Sequence, residues 1–81
     1  MNYYAAYGTY ASRPGIFVIV ADNLTDASSK LNNAFKGLPL SAQRDTLAEA
    51  WEGVQSCIED IEQRKVDYYT RVTRDIYFFE E

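Results

Sequence analysis

Ile16-Phe17-Val18-Ile19-Val20-Ala21 decides the fold. The run is apolar throughout and mostly β-branched, and turn signals bound it on both sides, so it reads as a strand. Successive side chains of a strand point to opposite faces. Ile16, Val18 and Val20 therefore share one side, and Phe17, Ile19 and Ala21 the other. A strand that is apolar on both sides belongs in the middle of a sheet. At six residues the run is far short of the ~20 that cross a bilayer, so no membrane segment is expected.

Upstream, residues 3–10 alternate and are rich in Tyr, which reads as a second strand. Between the two lies Ser12-Arg13-Pro14-Gly15. Pro pre-sets φ for a turn, and Gly15 is expected to take the positive φ of a type II turn. A hairpin follows.

Downstream, Asn23 is placed to cap a helix, with Asp26 three residues on as its capping-box partner. Leu24, Ala27, Leu31, Ala34, Phe35 and Leu38 recur at helical spacing, and Gly37 and Pro39 stop that helix. Ser41 is the next candidate cap. Leu47, Trp51, Val54, Ile58 and Ile61 then recur at alternating intervals of four and three, flanked by Ala50 and Cys57. This period predicts a long amphipathic helix from Ser41 to at least Lys65 and as far as Val72. Residues 76–79 read as a last strand, expected beside 16–21.

The order β-β-α-α-β predicts an α+β fold. Its sheet is three-stranded and antiparallel, with two helices packed on one face. The 81 residues suit one domain.

Composition narrows the chemistry. There is no His, which removes the usual general base and the commonest metal ligand. The single Cys57 cannot form an internal disulfide. It reads as a small hydrophobe at the edge of the helical stripe. The sequence contains no phosphate-cradling Gly loop and no zinc-ligand spacing. We therefore expect no catalysis and no cofactor, and a cytoplasmic protein without a signal peptide. Residues 1–40 carry two acids and three bases, and residues 41–81 carry ten acids and five bases. An acidic chain repels phosphate backbones, so direct nucleic-acid binding is not expected. A basic protein partner is.

Two surfaces are candidates for that partner. Asp45, Glu49, Glu52, Glu59, Asp60 and Glu62 lie in a stretch without Lys or Arg. On one helix Asp45, Glu49, Glu52 and Glu59 would fall opposite the Trp51 stripe, with Asp60 beside them, and would space charges on the scale of duplex phosphates. Such a row fits a basic groove meant for nucleic acid. It is also what the solvated side of an amphipathic helix looks like. The second candidate is the sheet face the helices leave bare, where Tyr4, Tyr77 and Phe79 would join the central strand and bind a partner or a second copy. The alternative is that the long helix wraps round and covers that face.

Two resemblances bear on function. The hairpin, followed by Arg44-Asp45-Thr46-Leu47-Ala48-Glu49-Ala50 at a helix start, resembles HicB-type antitoxins, which would imply toxin binding or a regulatory interaction module. As a class, a very small, acidic, aromatic-rich chain without His resembles phage-encoded anti-CRISPR proteins. That likeness implies an inhibitor, working inside a bacterial cell, that blocks a basic nucleic-acid-binding surface of a CRISPR effector complex. No residue roles are carried over from that class.

Overall fold

The computed structural model describes residues 2–36, 43–44, 48–49, 54–64 and 69–80. Residues 43–44 and 48–49 enter through their backbone pairing alone. The elements are β1 (Asn2–Tyr10), β2 (Arg13–Ala21), α1 (Leu24–Lys36), β3 (Gln43–Arg44), β4 (Ala48–Glu49), α2 (Gln55–Glu62), β5 (Thr70–Thr73) and β6 (Ile76–Glu80). The strands form one antiparallel sheet in the order β3-β1-β2-β6-β5, with β4 also paired to β1.

The fold is α+β as expected, and β2 is central with β6 at its side. The sheet is larger than the three strands expected. Four strands have four or more residues, and β3 and β4 are two-residue additions along the outer edge of β1. The β1–β2 hairpin closes through Ala11 and Ser12, with φ of 54° and 64°. Two consecutive positive φ values mark a primed turn, the kind whose twist matches the flanking strands. The turn therefore falls before Pro14-Gly15, and Gly15 has no positive φ. Gly15 is needed for another reason. A Cβ there would overlap the Phe79 carbonyl oxygen and the Phe78 ring. Its missing side chain lets β6 lie close against β2.

The helices do not share a face. Phe17, Ile19, Ala21, Tyr4, Ala6, Ile76 and Phe78 pack with Ala27 and Leu31 of α1. Phe17 meets Phe35 at 5.4 Å and Phe78 at 4.9 Å between ring centroids. On the other side Ala5, Val18, Tyr77 and Phe79 pack with Val54 and Ile58. The alternation of β2 thus has a physical complement: one helix for each apolar side. Neither side of β2 is bare, and β6 buries four consecutive residues, Ile76 to Phe79.

The second helix is also shorter than its period implied. Gln43–Arg44 and Ala48–Glu49 are extended and paired with β1, so no helix runs on from Ser41. Val72, expected near the end of that helix, lies in β5. Ser41, Leu47, Ala50 and Trp51 fall outside the described residues, as do Gly37, Leu38, Pro39 and Lys65. Leu24, expected on the apolar stripe of α1, is 48% exposed in the first turn.

Asn23 caps α1 as its sequence reads, while Asp26 reaches back to the Asp22 amide rather than to that of Asn23. The Asp26 amide donates to Asn23 Oδ1 at 2.8 Å, and Asp26 Oδ2 accepts from the Asp22 amide at 3.2 Å. Lys30 Nζ then ties the helix to the sheet. It donates to the Val20 carbonyl at 3.0 Å and lies 3.4 Å from both Asp26 and Asp75 carboxylates.

Candidate functional site

Three of the acidic residues singled out by the sequence lie on α2. Its N-cap is Val54, which makes no side-chain cap hydrogen bond, and its first turn holds no acid. Its last turn holds Glu59, Asp60 and Glu62 and no base. Carbonyl groups at a helix C-terminus already carry partial negative charge, so carboxylates there cost about 0.3–1 kcal/mol each when exposed. Glu59 is exposed, and among the described residues no hydrogen bond or ion pair engages its carboxylate. Glu62 is exposed and accepts a hydrogen bond from the Tyr3 hydroxyl at 3.2 Å. Burial, then the Glu62 contact and charge, raise the Tyr3 pKa. Asp60 is half-buried and engaged within the chain.

The expected acidic row is therefore only partly assembled. Glu59, Asp60 and Glu62 are brought together on one helical turn. Glu49 lies on β4, where its backbone pairs with Tyr4, and so is not on that helix. Asp45 and Glu52 lie outside the described residues.

The aromatic candidates are internal. Tyr4 is 3% exposed and packs on the α1 side, while Tyr77 and Phe79 are each 7% exposed and pack on the α2 side. They do not form one open patch, because α2 covers the face that was expected to be bare.

Cys57 is half-buried among the α2 contacts. Burial raises its pKa first, and the Asp60 charge raises it further. Both hold it as a thiol, the weaker nucleophile. Among the described residues no group of three or more acidic or Cys side chains is placed to hold a metal ion. No described helix is long and apolar enough to cross a membrane.

One feature escaped the sequence reading. Just beyond α2, Gln63 ends the helix and Arg64 takes a φ of 58°. That left-handed position usually belongs to Gly, and a side chain there costs on the order of 1–2 kcal/mol. Arg64 lines a cavity of about 650 Å³ with Ile61, Tyr69, Arg71 and Tyr77. Arg71 Nη2 donates to the Tyr77 hydroxyl at 2.7 Å, and its guanidinium sits 5.1 Å from the Tyr77 ring centroid. Tyr69 stands edge-on to Tyr77 at 5.0 Å. The available signal was Tyr69-Thr70-Arg71-Val72-Thr73, a β-favouring segment that places Arg71 on a strand.

Compared with known proteins, the chain matches no family model, no curated protein and no solved structure.

Proposed function

We propose that the chain is a non-catalytic, cytoplasmic binding protein of the anti-CRISPR type, an inhibitor that docks the acidic end of α2 on a basic nucleic-acid-binding surface of a bacterial defence complex. The observation that carries this reading is the last turn of α2. Three acids stand where the helix dipole disfavours them, with no base in the turn. Glu59 and Glu62 are exposed there. Residues that work against local stability are expected where a site serves another purpose. An exposed carboxylate is desolvated beside an Arg or Lys of a groove, where charge complementarity sets both specificity and the rate of encounter.

The test is inhibition of guide-directed DNA binding by purified CRISPR effector complexes. The parent protein blocks binding, and the block weakens steeply as salt is raised, because charges on exposed surfaces are screened over about 8 Å at physiological ionic strength. Glu59→Lys with Glu62→Lys abolishes the block, since each attraction becomes a repulsion. Glu59→Gln with Glu62→Gln weakens it less, and Asp22→Asn leaves it unchanged. A double Lys variant that inhibits like the parent would falsify the proposal.

A further inference from the structure

The cavity beyond α2 has the opposite character from the rest of this acidic half. Its described lining is two Arg, two Tyr and one Ile, with no carboxylate. At about 650 Å³ it falls within the roughly 300–1,000 Å³ usual for small-molecule sites. The two arginines line it from separate elements. Arg71 stands on β5, oriented by the Tyr77 hydroxyl at 2.7 Å. Arg64 follows α2 in a left-handed conformation that a Gly would adopt without strain. No ion pair or hydrogen bond engages the Arg64 guanidinium among the described residues. Strained non-Gly residues gather at ligand sites, where a side chain must be held in one place.

We propose that this cavity binds a mononucleotide. The forked donors of two guanidinium groups match the oxygens and the double charge of a phosphate monoester. The half-buried Tyr69 ring is held by Tyr77 and Phe79, at 5.0 and 5.2 Å between centroids. It gives a rigid aromatic wall on which a base stacks, and Ile61 completes the apolar side. One phosphate suits the site better than a polynucleotide does, because the carboxylates of α2 lie next to it in sequence and repel an extended phosphate chain. The site shares Ile61 with the last turn of α2, but nucleotide binding and inhibition are read by separate measurements, so either proposal can fail without the other.

The experiment is calorimetric titration of the full chain with AMP, adenosine and inorganic phosphate. AMP binds saturably, and at least about tenfold more tightly than either fragment, because only AMP engages the arginines and the ring together. Arg64→Gly relaxes the backbone and removes the guanidinium. It is expected to melt no lower than the parent and to bind AMP at least about tenfold more weakly. Tyr69→Leu brings AMP down to the affinity of inorganic phosphate. AMP binding that does not saturate at millimolar concentration, or an Arg64→Gly variant that binds AMP like the parent, overturns the proposal.

Discussion

The two helices cover opposite sides of the same strand, and they are built to different rules. α1 runs for 13 residues, is capped by Asn23, places Asp26 in its first turn and Lys36 in its last, and anchors through Lys30. Each of these choices lowers its free energy. α2 is described over 8 residues, lacks a side-chain cap and ends in three acids. It is followed by an Arg in a conformation that suits Gly. One side of the molecule obeys the local rules and the other breaks several within a few residues. A folded chain tolerates such a cluster of exceptions when packing elsewhere supplies the stability. Here the aromatic cluster around Phe17 supplies it.

The largest effect should come from that cluster. Phe17 is fully buried and touches rings on α1 and β6. Phe17→Ala is expected to cost about 3–5 kcal/mol, most of the stability of a chain this small. Ile58→Ala, at 6% exposure under α2, should cost less, near 2 kcal/mol. Urea titration of both variants measures the difference. Equal losses would remove the asymmetry between the two faces.

Next comes the cap. Asn23→Ala removes the acceptor of the Asp26 amide and should cost about 1 kcal/mol. A thermal melt lowered by only a fraction of a degree would show that α1 does not depend on its cap.

The Lys30 anchor predicts a pH dependence. Burial alone would lower the Lys30 pKa, but the hydrogen bond to Asp26 and the charges of Asp75 and Asp26 outweigh it and raise it. A group with a raised folded-state pKa contributes stability fully below its unfolded value, near 10.4 for Lys. That contribution is lost as pH rises through the folded value. Stability should fall at strongly alkaline pH, and Lys30→Met should flatten that fall. Tyr3, also raised, acts in the same direction, so Tyr3→Phe is the control.

The same contrast explains how much the sequence revealed. The α1 side was legible because its signals are local: Asn23 with Asp26, the Leu31 period, and the alternation of β2. The α2 side was not. The intervals linking Leu47, Trp51, Val54, Ile58 and Ile61, with Ser41 as the cap before them, predict a helix through residues 43–49, but β1 has an outer edge of backbone donors and acceptors that need partners. Gln43–Arg44 and Ala48–Glu49 supply them and are extended for that reason. No helical period reports a demand made by a strand some forty residues earlier. The same misreading hid β5. Tyr69 and Val72 fit the end of a helix, although Thr70 and Thr73 beside them favour a strand. Of the candidate site, Glu59, Asp60 and Glu62 are visible as charge, while the cavity that Arg64 and Arg71 both line has no local sequence signal. With both helices on one face Tyr4, Tyr77 and Phe79 read as surface; with one helix on each side they are core.

The smallest effect is the most direct test of the central claim, that the end of α2 is not arranged for stability. Glu59→Lys replaces an exposed, unengaged carboxylate by a cation at a helix C-terminus. Its urea midpoint should equal or exceed the parent's, with a gain of about 0.3–1 kcal/mol at low salt. A loss of about 1 kcal/mol or more would contradict the account, because Glu59 would then be part of what holds the fold together.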